Sequence, residues 1–178
     1  MTEIAASDNA PVAADDDLAT TENATLSGNV ITADNGNGID SDLDGDTLSV
    51  IAVNGQAAGV VANIAGTGGG TFNIAANGGY TFDPGSDFDS LAAGETATTT
   101  VQYTISDGNG GTDTATVTVT VTGTNDTPTS VGTIPLQVGV DATVASPLDI
   151  SGFFADTDTT DTLSFSACLL YTSDAADE

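Results

Sequence analysis

From Thr112 to Thr122 the chain alternates strictly, with Ala115, Val117, Val119 and Val121 on one parity and Thr114, Thr116, Thr118 and Thr120 on the other. A helix cannot sort that pattern onto two faces, whereas a strand with one buried face does. Residues 97–106 repeat it, with Val101, Tyr103 and Ile105 in phase. Between the two runs lies Asp107-Gly108-Asn109-Gly110-Gly111, rich in residues that tolerate positive φ, which predicts a hairpin. Phe72-Asn73-Ile74 and Tyr80-Thr81-Phe82 flank Ala76-Asn77-Gly78-Gly79 and predict a second one. Residues 47–53 and 59–64 supply two further strands, and residues 18–31 a first one with Gly28 as its weak point. About seven short strands and no helical period predict an all-β, antiparallel β-sandwich of immunoglobulin type. Its core would hold Leu26, Val30, Leu48, Val50, Ile74, Phe82, Val101, Tyr103, Ile105 and the Val117 series.

Charge then limits what such a sandwich can do. The chain carries 26 Asp and Glu and no Lys, Arg or His, for a formal net charge of −26. Clustered carboxylates repel and oppose compaction unless countercharge comes from outside. Oxygen-rich carboxylate sites are the preferred home of calcium, so Ca2+ is the expected cofactor. A salt-adapted surface is the plainer alternative. Nothing in the chain can neutralise a phosphate, which argues against nucleic acid and anionic membranes as partners. No apolar run is long enough for membrane insertion as a helix. Residues 1–10 lack the basic and apolar regions of a secretory signal, which an internal piece of an exported protein need not carry. Catalysis has little material: without His or Lys the usual nucleophile–base pairs cannot be built. A carboxylate pair for glycoside hydrolysis is formally available, but no Trp accompanies it.

An internal repeat organises the chain. Asp8-Asn9-Ala10-Pro11 is echoed by Asn125-Asp126-Thr127-Pro128, and Asp46-Thr47-Leu48-Ser49-Val50 by Asp161-Thr162-Leu163-Ser164-Phe165, at nearly the same offset. The expected organisation is a linker over 1–10, a β-sandwich over 11–124, a linker over 125–129 and a truncated second module over 130–167. Residues 168–178, which include the single Cys168, back-translate to a stretch resembling a transposon-type sequencing adapter and are set apart from the fold.

The densest acidic loop is Asp40-Ser41-Asp42-Leu43-Asp44-Gly45-Asp46. Alternating aspartates followed by Gly form the first half of an EF-hand loop, but the twelfth position is Ile51 rather than Glu and a strand follows. The EF-hand is therefore rejected and the loop chemistry kept. Candidate calcium ligands are Asp40, Asp42, Asp44, Asp46, Asp87, Asp107, Asn125, Asp126, Asp156, Asp158 and Asp161. Sandwich order places loops 40–46 and 83–89 with the trailing linker at the C-terminal pole, and loop 107–109 with Asp8 and Asn9 at the other. Asp126 is then expected beside Asp42 or Asp44. Glu22 reads equally as a ligand there or as a plain surface residue. The threonine face of 112–122 reads as an ordinary solvated strand face rather than an ice- or ligand-binding array.

Several stretches carry a family resemblance. Asn9-Ala10-Pro11, residues 26–30, Asp42-Leu43-Asp44-Gly45-Asp46-Thr47-Leu48, the hairpin 70–82, residues 91–96, residues 103–111 and residues 123–126 resemble a VCBS-type repeat. Such repeats are cadherin-like β-sandwiches found in tandem in large bacterial RTX-type surface adhesins. Residues 130–167, with Phe153-Phe154-Ala155-Asp156-Thr157-Asp158, resemble the start of a dystroglycan-type cadherin-like domain. That second stretch departs from Asp-x-Asp-Gly-Asp, reading Asp158-Thr159-Thr160-Asp161. The resemblance implies a calcium-stiffened spacer in an extracellular or cell-surface adhesin exported by a type I route. Its implied partners are calcium, neighbouring modules of the same chain and a host or surface glycan or protein. A calcium-dependent carbohydrate-binding module is the alternative, and the placement of Phe72, Tyr80, Phe82 and Tyr103 in strand patterns rather than acidic loops weighs against it.

Overall fold

The computed structural model describes residues 8–57, 63–135 and 149–166. The alternating runs form the expected hairpin, β8 (Thr96–Ser106) against β9 (Thr112–Thr122), with Val101 opposite Val117 and Thr104 opposite Thr114. Ala115, Val117, Val119 and Val121 are buried, and the threonines between them face outward. β3 (Ser49–Val53) extends this sheet along β8, and β4 (Gln56–Ala57) folds back on β3. The turn between them, Asn54-Gly55, has positive φ at both residues, as a tight two-residue hairpin turn requires. β1 (Asp16–Thr21) completes the sheet by running parallel to β9.

The second sheet contains β2 (Leu26–Asn29), β7 (Gly79–Asp83), β6 (Thr71–Ile74) and β5 (Ile64–Ala65), in that spatial order. The two sheets enclose one core. Phe72 and Phe82 meet with ring centroids 4.6 Å apart, and Phe88 stands edge-on to Phe82. Val30, Val50, Ile74, Val101, Tyr103 and Ile105 fill the rest, with Leu26 and Leu48 packed at its margin. Among the described residues there is no α-helix, only a single 3-10 turn over Ser151–Phe153. The fold is all-β, as expected.

Two expectations need correcting. Residues 18–31 are two strands, β1 and β2, in different sheets, separated by a turn at 22–25. Gly28 is no break: β2 continues through it, opposite Tyr80. The sandwich is also not wholly antiparallel, because β1 and β9 run the same way. Of the strand expected over 59–64, only Ile64 falls in β5, and residues 58–62 lie outside the described set.

The extra reversal at 22–25 decides what meets what. β1 and β9 end at the C-terminal pole, together with turn 22–25 and loop 84–95. β2 returns the chain to the N-terminal pole, where loop 30–48 joins loop 107–111 and the leading linker. Beyond the sandwich, β10 (Thr129–Ser130) pairs with β11 (Phe154–Ala155), and Phe154 packs on Phe165 at 5.4 Å. Residues 168–178 lie outside the described residues.

Candidate metal sites

Carboxylates at the N-terminal pole converge from three segments. Carboxylate oxygens of Asp8, Asp44 and Asp46 lie within 4.8 Å of one another. Asn9 fastens the linker to this group, its backbone N donating to Asp44 Oδ2 at 2.7 Å and its Nδ2 to both Asp44 oxygens. Asn109, from loop 107–111, donates its Nδ2 to Asp46 Oδ2 at 2.8 Å. Asp42 Oδ1 accepts the backbone N–H groups of Asp44 and Asp46, closing the loop on itself. Asp107 Oδ1 accepts those of Asn109, Gly110 and Gly111. In both residues the other oxygen, Asp42 Oδ2 and Asp107 Oδ2, is buried with no partner. The Asp8 carboxyl is held above its ordinary range by lost hydration and then by Asp107, Asp46, Asp44 and Asp42.

The same division of oxygens recurs at the C-terminal pole. Glu22 is 2% exposed, and its Oε1 accepts Thr124 N at 2.7 Å and Thr124 Oγ1 at 2.8 Å. Asp158, also 2% exposed, accepts Asp126 N on Oδ2 at 2.8 Å. Asp156 Oδ1 in turn accepts Asp158 N. Glu22 Oε2 and Asp158 Oδ1 are left buried and without partners. Asp126 is pushed up by lost hydration and by the surrounding Asp158, Glu22, Asp89 and Asp156.

A buried carboxylate oxygen without a donor is costly, and native proteins rarely leave one without a reason. Five such oxygens occur among the described residues, and one of them, Asp16 Oδ2, lies at the start of β1 outside both clusters. The other four fall in the two clusters, and each of those four belongs to a carboxylate whose other oxygen is fixed by backbone N–H groups. That arrangement holds the bare oxygen in place before any ligand arrives. The donor set is all oxygen, with no Cys or His, which suits a hard cation such as calcium and not zinc. At the N-terminal pole Asp8, Asp42, Asp44, Asp46 and Asp107 could hold one. At the C-terminal pole Glu22, Asp89, Asp126, Asp156 and Asp158 could.

The structure thus separates residues that sequence order had joined. Asp126 does not meet Asp42 or Asp44, because loop 40–46 belongs to the opposite pole. Asp40 turns inward: its Oδ1 accepts Ala14 N at 2.8 Å, and the Tyr103 hydroxyl stands 3.2 Å from both its oxygens. Asp87 accepts Gly70 N at 2.7 Å and pins the glycine-rich loop 66–70, leaving Asp89 to face Asp126. Asn125 is exposed and donates to the Asp126 carbonyl, and Asp161 closes a turn onto Asp158 O. Asp89 was not among the expected ligands, and the sequence leaves Glu22 open between a ligand and a plain surface residue. The signal for Glu22 was its place in Thr21-Glu22-Asn23, between two apolar runs, where a turn would carry it to a pole.

A β-sandwich with an acidic cluster at each pole defines the class of module. Residues 8–123 match the model of the bacterial cadherin-like domain, and the chain belongs to that family. The family is non-catalytic. No curated protein matches the chain. Among solved structures it is similar to a nucleoside hydrolase-related hypothetical protein from Saccharophagus degradans that is associated with carbohydrate metabolism. That likeness has 17% identity and a TM-score of 0.39, and covers 65% of this chain and 26% of the other. The chain thus spans about a quarter of that protein's length.

Proposed function

We propose that this chain is a calcium-stiffened structural repeat, a spacer within an extracellular or cell-surface bacterial adhesin of the VCBS and RTX type. One observation carries the reading: at both poles, buried carboxylate oxygens without hydrogen-bond partners stand in acidic clusters, in a protein with no cation of its own. Cadherin-like domains usually bind calcium, which agrees. An ion at the C-terminal pole would draw on Glu22 and Asp89 of the first unit, Asp126 of the linker and Asp156 and Asp158 of the second. Its effect is mechanical, because a ligand set shared by three segments resists a change in the angle between them. The N-terminal pole offers a preceding module the same chemistry through Asp8 and loops 40–46 and 107–111.

Carbohydrate binding lacks a platform in the first unit, since Phe72, Tyr80, Phe82 and Tyr103 are all buried. The test is thermal unfolding in EDTA, in millimolar magnesium and in millimolar calcium. Calcium at about 100-fold over Kd should add roughly 2.7 kcal/mol per site. Magnesium should add much less, because it demands tight octahedral geometry and dehydrates reluctantly. Equal melting in EDTA and calcium overturns the proposal.

A further inference from the structure

The second unit touches the first through more than carboxylates. Thr159 N donates to Ser90 O at 3.3 Å, and Thr159 Oγ1 donates to the same oxygen at 3.2 Å. Thr160 Oγ1 donates to Glu95 Oε1 at 3.0 Å. Glu95 is a prepared acceptor: its Oε2 takes Ala92 N at 3.1 Å, and its own N–H closes the turn onto Ala92 O. None of these contacts uses Glu22, Asp89, Asp126, Asp156 or Asp158.

The two threonines stand where the first unit has one glycine. The corresponding loops read Asp42-Leu43-Asp44-Gly45-Asp46 and Asp156-Thr157-Asp158-Thr159-Thr160-Asp161. This is the departure from Asp-x-Asp-Gly-Asp, and calcium ligation does not account for it. We infer that Thr159 and Thr160 form a metal-independent latch that seats the second unit on loop 88–95 of the first, and that this surface selects a following module with hydroxyls after its second aspartate. A following module with the first unit's loop would bring Gly45, which has no hydroxyl, and then the Asp46 carboxylate towards Glu95. Two carboxylates with no cation between them repel, so the surface rejects one neighbour as well as accepting another.

The latch goes beyond the calcium reading and acts where calcium is absent. It is tested by amide hydrogen exchange of the full chain in EDTA, following the Thr159 N–H that donates to Ser90 O. Wild type should show this amide protected. Thr160→Val should lower the protection about fivefold, the worth of one modest hydrogen bond. Thr160→Asp should abolish it. Glu95→Gln, altered from the other side of the contact, should restore protection to the Thr160→Asp chain. Amides of β8 and β9 should keep their protection throughout. A Thr159 amide that exchanges freely in wild-type EDTA samples, or that is indifferent to Thr160→Val and Thr160→Asp, overturns the latch. Calcium added to Thr160→Val separates the two readings: restored protection reports the ion, and its absence counts against the ion while leaving the latch standing.

Discussion

Asp16, at the start of β1, is 1% exposed, its Oδ1 accepts Asn35 Nδ2 at 2.6 Å, and its Oδ2 is buried without a partner. Loss of hydration pushes its pKa from 3.8 up to about 6, against the hydrogen bond from Asn35 that pulls the other way. A proton held more tightly in the folded chain than in the unfolded one stabilises fully below the ordinary value, and that contribution fades as pH rises through the folded one. Asp16→Asn keeps an acceptor for Asn35 and replaces the bare oxygen with a donor among the acceptors around Tyr103. In EDTA the variant should melt above wild type near neutral pH and lose that advantage as pH falls below about 4. Melting curves across that range decide it, and a deficit near neutral pH would count against a buried, strained carboxylate. Residue type and spacing could not distinguish this aspartate, or Asp40, from a ligand. Asp40 and Asp42 have the same chemistry two positions apart, and only the fold turns one towards Tyr103 and leaves the other with a bare oxygen.

Strand pairing was legible wherever a turn announced itself. The hairpins β6–β7 and β8–β9 follow from Asn77-Gly78 and from Gly108-Asn109-Gly110, where glycines with positive φ mark the reversals. β1 and β2 were not separable in that way. Leu18, Leu26 and Val30 all fall on even positions, so the alternation keeps its phase across the turn at 22–25, and that turn contains no Gly or Pro. One uncounted reversal moved loop 40–46 to the wrong pole and paired Asp126 with the wrong aspartates. The same element explains Gly28. A Cβ there would stand 2.8 Å from Tyr80 Cε1 and 2.9 Å from its hydroxyl, so the ring of β7 packs directly on the backbone of β2. Gly28→Ala should displace Tyr80 and cost about 1–3 kcal/mol, as overpacking of a filled site does. Chemical denaturation in calcium checks the loss, and a variant as stable as wild type would mean that β2 is free to shift away.

On the scale of the molecule, the two acidic clusters lie at opposite ends of β9, whose residues Thr112–Thr122 span eleven positions. At about 3.3 Å per residue that is roughly 35 Å, several times the ~8 Å screening length at physiological salt. Charge neutralised at one pole should barely be felt at the other, and no described side chain belongs to both clusters. Calcium binding should therefore resolve into two independent classes of site, additive in their effect on stability. Glu22→Gln should remove the C-terminal class alone, and Asp107→Asn the N-terminal class alone. Each variant should fold in EDTA at least as well as wild type, because a bare buried oxygen has become an amide that can donate. Only Glu22→Gln should leave the angle between the units uncontrolled by calcium. Isothermal titration of the full chain and both variants, with small-angle scattering at each end point, reads all of this. If either substitution abolishes both classes, or if Asp107→Asn rather than Glu22→Gln removes the effect of calcium on the joint, the assignment of the clusters to separate poles fails.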